Sequence, residues 1–462
     1  MALRHQTWVA LLATVLLFGA APGSVFDAFG PSQALAAEDG KKARRIPHIQ
    51  PTTHKRLQQA EELVRGDEEK GTEPDFAAAR ALLEDMLPRE GRRSRYNGNE
   101  LAQVHNMLAF VYWELDRPDL TIHHYEQVLG EVPDISEGME LSTMYQLAKL
   151  YFMQGMNNEG TRAADYYNQT LSMMARWMAL NEQVGPDVYH FLSQVYYQLD
   201  DQPKSIENLE TAIRMTQERG NVVKEQWWSM LQSLHYGQEN WDRCIEILEV
   251  LVNQYPKRDY WITLAAVYGE VDDERRQLLA LEAAHVGGFL TKDSDVRSYG
   301  SLLLTNGVPY RASTYVQQGL DDGVLEPTLD VLKLRGQALV SAEEIDDAIT
   351  VFEEAAKMAE DGKIFNMLAT LYLDRDKFAD CERTAKLALD KGDLMSVMGT
   401  KITLASCQFY LDDLRGARET FVDVRRQARR EDDGRLERNA GDWIKFIDSE
   451  SKRLDAIAQA GG

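Results

Sequence analysis

Cysteine is scarce. Three residues, Cys244, Cys381 and Cys407, in a chain of 462 are too few for a disulfide framework. Each falls on a position that helical periodicity buries, and so reads as a small core residue. Cys381 and Cys407 stand in adjoining repeats, and pairing in an oxidising compartment is the alternative. Positive charge is also short: 51 Lys and Arg face 74 Asp and Glu, for a formal net charge of -23. The mean field of such a chain repels phosphate backbones and anionic membranes, so nucleic acid is not an expected partner. Beyond the N-terminal segment, every apolar stretch carries helical periodicity with charges, and none reads as a membrane span. No linker marks a domain boundary after about residue 55, where the length alone suggests two to four globular domains. Phosphate loops, dinucleotide-binding glycines and nucleophile elbows are missing. His123 and His124 point about 100° apart on one helix, with no carboxylate or cysteine at ligand spacing, and read as surface histidines. The carboxylate runs Glu61-Glu62, Asp272 to Glu274 and Glu431 to Asp433 read as turn and helix-face charges, because a catalytic pair needs a walled site. Enzyme activity, a cofactor, a metal and a small-molecule substrate are therefore not expected.

What is present is a repeated helical pair. From His105 to Pro133, Leu108, Ala109 and Tyr112 mark one helical face and Ile122, Tyr125, Val128 and Leu129 a second, with a turn at Asp116 to Asp119 and a proline stop. Neither helix buries its apolar face alone, so the unit needs neighbours. The spacing resembles the 34-residue tetratricopeptide pattern, with Leu108 at position 7, Ala109 at 8, Tyr112 at 11 and Pro133 at 32. Carried forward, position 7 falls on Leu108, Leu147, Leu192, Leu231, Leu264, Tyr299, Arg335, Leu368 and Leu404. Position 8 is Ala109, Ala148, Ser193, Gln232, Ala265, Gly300, Gly336, Ala369 and Ala405, nearly all small, as close helix crossing requires. Tyr112, Tyr151, Tyr196, Tyr268 and Tyr372 hold position 11. Arg335 breaks the core pattern, and that copy rests on Gly336, Ala348, Phe352 and Ala355. The copy around Met144 needs extra residues before Ala163 and Tyr167, and the linker through Gly185 and Pro186 predicts a bend.

The expected fold is all-α: a right-handed tetratricopeptide-type solenoid of about ten helical hairpins plus a C-terminal capping helix. Residues 1–36 read as a secretory signal peptide, with Arg4 and His5 ahead of an apolar run and Ala34-Leu35-Ala36 at the cleavage positions. The alternative is an uncleaved anchor, although the run of about 14 residues falls short of the ~20 a span needs. Residues 37–52 read as a flexible leader whose Lys41 to Arg45 run is solvated or grazes anionic lipid. Residues 53–100 make a divergent first hairpin, 101–434 the array, and 435–462 a capping helix and tail.

In such arrays positions 2, 5, 9, 12 and 13 of each first helix line a concave groove. Position 12 is Trp113, Phe152, Tyr197 and Tyr236 in four successive repeats; position 5 adds Asn106, Tyr145 and His190, and position 9 adds Phe110 and Lys149. Aromatic side chains on a rigid wall bury much apolar area at low entropy cost, so these nine residues are candidate anchors for an extended peptide or amphipathic helix. The alternative is that the rings pack between neighbouring helices. The Lys and Asn clamp that some tetratricopeptide domains use for C-terminal carboxylates is absent.

The stretches LAQVHNMLAFVYW (101–113), HHYEQVLGEVPDISEGMELSTMYQLAKLYF (123–152), KEQWWSMLQSLHYGQENWDRCIEILEVLVNQYPKRDYW (224–261) and GGFLTKDSDV (287–296) resemble the periplasmic tetratricopeptide proteins associated with TonB, ExbB and ExbD systems of Gram-negative bacteria. That resemblance implies a periplasmic accessory of the energy-transduction complex, partnered by TonB-type or ExbB/ExbD-type membrane proteins in TonB-dependent uptake of iron chelates or similar nutrients. A scaffold for cell-envelope assembly or polysaccharide export is the alternative.

Overall fold

The computed structural model describes residues 44–66, 73–88 and 94–461. The expected signal segment and the first part of the leader lie outside the described residues. Among the described residues there are 21 helices and no strand. They form ten hairpins and a closing helix, a tetratricopeptide-type α-solenoid, and they fall into two compact units that part between Asn208 and Leu209.

The first unit contains α1 (Pro51–Arg65), α2 (Phe76–Glu84), α3 (Gly98–Glu114), α4 (Pro118–Gly130), α5 (Glu137–Met156), α6 (Gly160–Leu180), α7 (Pro186–Gln198) and the beginning of α8 (Gln202–Glu218). The second contains the rest of α8, then α9 (Glu225–Gly237), α10 (Trp241–Gln254), α11 (Arg258–Glu270), α12 (Glu274–Val286), α13 (Asp293–Thr305), α14 (Pro309–Asp321), α15 (Leu329–Ser341), α16 (Ile345–Ala356), α17 (Lys363–Asp374), α18 (Phe378–Lys391), α19 (Val397–Tyr410), α20 (Leu414–Arg430) and α21 (Gly434–Gly461).

Local chemistry explains the boundaries. Proline stands in the first turn of α1, α4, α7 and α14, where its missing N–H has no intrahelical partner to lose. Asn97 and Glu100 close a reciprocal capping box at the start of α3. In the hairpins from α3 onward other than α5–α6, the turn residue eight places after position 7 is left-handed: Asp116, Asp200, Glu239, Asp272, Glu343, Asp376 and Asp412 have φ between 55 and 64°, and Gly307 has φ 74°; in α5–α6 the left-handed residue is Gly160 at φ 59°. An acidic residue tolerates this conformation at modest cost, which explains why the turns are not all glycine.

The repeat register places the core. Position-7 residues Leu108, Leu147, Leu231, Leu264, Tyr299 and Leu368 are at most 3% exposed, while Arg335 stays partly exposed. Small residues at position 8 admit the large residue of the facing helix: a Cβ on Gly336 would lie 2.6 Å from the Phe352 ring. Gly155 does the same for Tyr167, whose ring stands 2.4 Å from where a Cβ would be. Position-11 tyrosines make a recurring contact absent from the sequence reading. The hydroxyls of Tyr112, Tyr151, Tyr268 and Tyr372 donate to Glu84, Glu126, Glu249 and Glu353, each on the second helix of the preceding hairpin. In the last hairpin Ala440, Ile444 and Ile447 of α21 cover Phe421 and Val424 of α20, as a capping helix should.

Cys381 on α18 and Cys407 on α19 are joined as a disulfide, with Cα atoms 6.0 Å apart, so the pairing alternative replaces the reading as two separate core thiols. Cys244 is free and buried. No described helix is long and apolar enough to cross a membrane.

Candidate functional site

Eight of the nine candidate residues stand in the first unit, on the first helices α3, α5 and α7; Tyr236 stands on α9 in the second. Packing sorts the eight. Trp113 at the last turn but one residue of α3 is 43% exposed and Tyr197 near the end of α7 is 40% exposed, in helices whose position-7 leucines are buried. Lys149 is exposed, and Asn106, Tyr145 and His190 are partly exposed. Phe110 is partly buried and meets Phe76 of α2 edge-on, with centroids 6.5 Å apart, so it leans on the first hairpin.

Phe152 is a correction to the expected strip. It is 3% exposed and packs edge-to-face on Phe191 at 5.3 Å and against Tyr167 at 5.7 Å. The longer α5 and α6, 20 and 21 residues, explain this. Their extra length brings Tyr167 over the end of α5 beside Gly155, and the ring of Phe152 fills the space between α6 and α7.

The same extension supplies a residue that the sequence reading did not single out, Trp177 on α6. Its ring lies 5.5 Å from Tyr145, and the ammonium of Lys149 stands 4.5 Å from the Tyr145 ring centroid. Although the Lys149 residue as a whole is exposed, partial desolvation of its ammonium, which lies over the Tyr145 ring, holds it below the ordinary lysine range, while burial, with Asp187 nearby, pushes the Tyr145 hydroxyl up. A half-desolvated cation on an aromatic face can receive a carboxylate or a backbone carbonyl. In the second unit Tyr236 is 39% exposed and meets Trp241 edge-on at 5.2 Å.

The histidines also sort by packing. His123 is exposed, but His124 is 6% exposed and its Nδ1 lies 2.9 Å from Nδ1 of His105, itself 8% exposed. Tyr112 stacks on His124 at 5.2 Å. The expectation of two surface histidines fails for His124 because neighbours on a helix face different ways and only one can follow the core. Burial pushes both His105 and His124 down to about 4, so each is neutral at pH 7. Among the described residues no group of three or more His, Cys, Asp or Glu is arranged to hold a metal ion.

With this geometry in place, residues 186–219 match the tetratricopeptide repeat family, and the match begins on the first residue of α7 in the same register, with Leu192 at position 7. No curated protein matches the sequence. Solved structures with partial likeness include MamA, at 16% identity over 40% of this chain and 93% of that one with a TM-score of 0.31. A tetratricopeptide repeat protein from Parabacteroides merdae is 13% identical over 57% of this chain and 98% of that one, TM-score 0.30. The TPR2AB domain of yeast Sti1 in its pHSP90 complex is 12% identical over 66% of this chain and 99% of that one, TM-score 0.28. The class of protein is thus set by its hairpins and repeat register: a tetratricopeptide-type α-solenoid, an architecture whose use is protein–protein interaction.

Proposed function

We propose that the chain is a noncatalytic periplasmic scaffold whose first unit holds an extended or helical segment of a protein partner, and that it serves a TonB-ExbB-ExbD system in nutrient uptake. One observation carries the binding role: Trp113 and Tyr197, at equivalent positions of α3 and α7, leave about two-fifths of their surface to solvent on helices otherwise anchored by buried leucines. Large aromatic side chains on rigid elements are the usual energetic centres of protein interfaces. Lys149 over Tyr145 adds a polar contact for main chain or carboxylate. The disulfide of Cys381 and Cys407 agrees with an oxidising compartment, and the TonB assignment rests on the resemblance of the four stretches quoted above.

The test is titration calorimetry of the purified chain with the periplasmic portions of the TonB-type and ExbD-type proteins of the same organism. Trp113→Ala with Tyr197→Ala should weaken binding at least tenfold, on the order of 1.4 kcal/mol or more, with unchanged far-ultraviolet circular dichroism. Equal binding by the double variant would overturn the aromatic site. Failure of every such portion to bind, alongside binding of an envelope-assembly or polysaccharide-export component, would overturn the TonB assignment alone.

A further inference from the structure

Residues 44–50, expected to be a loose leader, are seated on the first unit. They run without secondary structure across the N-terminal ends of α3 and α5. The side-chain amide of Asn99 donates to the Pro47 carbonyl at 2.9 Å, and that of Asn97 donates to the His48 carbonyl at 2.9 Å. The Gln50 N–H donates to Oε1 of Glu100 at 2.8 Å, and Nη1 of Arg44 donates to Oε2 of Glu140 at 2.5 Å. Three of these contacts address main chain and are indifferent to side chains. The fourth reads a guanidinium.

Glu140 is 5% exposed, and Arg44 is its cation among the described residues. A carboxylate this buried is costly without a cation, so the site itself demands one. The apolar side chains of the segment do not anchor it: Ile46 is 38% exposed. The chain as a whole carries -23, which draws basic segments toward it.

We propose that this track is a binding site for an extended basic polypeptide in which arginine stands three residues ahead of proline, as Arg44 stands ahead of Pro47. Residues 44–50 occupy it in cis, and a partner segment of the same chemistry takes it in trans when the leader is displaced. The leader joins α1 directly, so its effective concentration at the track is high, on the order of millimolar, and it screens out weak competitors. This inference is independent of the aromatic site.

Trypsin cleavage between Arg45 and Ile46 reports whether the leader is seated. In the full chain, Glu140→Gln should raise that cleavage rate about tenfold or more while cleavage elsewhere stays unchanged. In hydrogen exchange, without protease, the peptide KKARRIPHIQ at millimolar concentration should speed exchange of the Gln50 amide of the wild-type chain, which the seated leader holds on Glu100, and the same peptide with alanine in place of the first arginine of its Arg-Arg pair should not. Fluorescently labelled KKARRIPHIQ should bind the Arg44→Ala chain at least tenfold more tightly than wild type. Should Glu140→Gln disturb folding, as read by circular dichroism, Arg44→Ala removes the same ion pair from the other side and gives the same cleavage readout. An unchanged cleavage rate in both variants would overturn the track. A freed leader with no peptide binding to Arg44→Ala would show a fixed structural clamp and overturn the binding role.

Discussion

The two units use the same repeat in different ways. The second runs through hairpins whose first helices, from α9 to α17, are 12 or 13 residues long, and its departures include Gln232 at position 8, Arg335 at position 7 and one disulfide. The first contains the long pair α5 and α6, a buried histidine pair, a seated leader and the exposed rings Trp113 and Tyr197, although Tyr310, Tyr410 and Phe446 of the second unit are more exposed still. On α13 of the second unit the corresponding face is Ser294, Arg297, Ser298, Ser301, Leu302 and Thr305, beside a cavity of about 520 Å³. Position 12 of α13 is Leu304, where α3 and α7 carry Trp113 and Tyr197. A regular repeat secures the stack, and departures from it create the features that can recognise something.

Substitutions can separate these regimes. The largest effects belong to core rings: Phe152→Ala in the first unit and Phe352→Ala in the second should each cost about 3–5 kcal/mol, read as loss of protection in hydrogen exchange around the altered hairpin. If Phe152→Ala costs as little as an exposed position, the first unit has a looser core than its burial indicates. Trp113→Ala should stay within about 0.5–1 kcal/mol of wild type, because much of the ring is already in water.

Acid should act on the first unit. His105 and His124 are held near 4, below the ordinary 6.5. The unfolded chain therefore binds more protons than the native one between those values, and stability present above pH 6.5 falls as pH drops toward 4. The ceiling is about 3 kcal/mol for each histidine. Amides of α3 and α4 should lose protection over that window, those of α15 to α18, a stretch without histidine, should not follow, and His124→Gln should flatten the response. Parallel loss in both regions would assign the effect to carboxylates instead.

Reduction should act on the second unit. Breaking the Cys381 to Cys407 bond, which closes 26 residues, should cost about 2–4 kcal/mol by freeing the unfolded chain, seen as loss of protection in α18 and α19 with α3 and α4 unmoved. Gly336→Ala should cost about 1–3 kcal/mol, since the added methyl meets the Phe352 ring. The smallest effect is favourable: Glu343→Gly, at φ 63°, should stabilise by about 0.5 kcal/mol, measurable as a small rise in Tm.

Helix number, register and the buried positions 7, 8 and 11 were legible in one dimension, because helical periodicity and the small-to-large matching of facing helices repeat along the chain. Leu147, Ala148 and Tyr151 needed no coordinates to be placed in the core. Exposure at position 12 was not legible. Trp113 and Phe152 share a register position, yet one keeps 43% of its surface and the other 3%, and the difference comes from Tyr167 and Phe191, brought against Phe152 by the longer helices of that hairpin. The seating of residues 44–50 was hidden for the same reason. Glu140 lies 96 residues from Arg44, and a contact at that separation exists only after the hairpins between them have stacked. Local pattern sets what each segment can become; side chains from distant segments decide which surfaces remain open and which are filled.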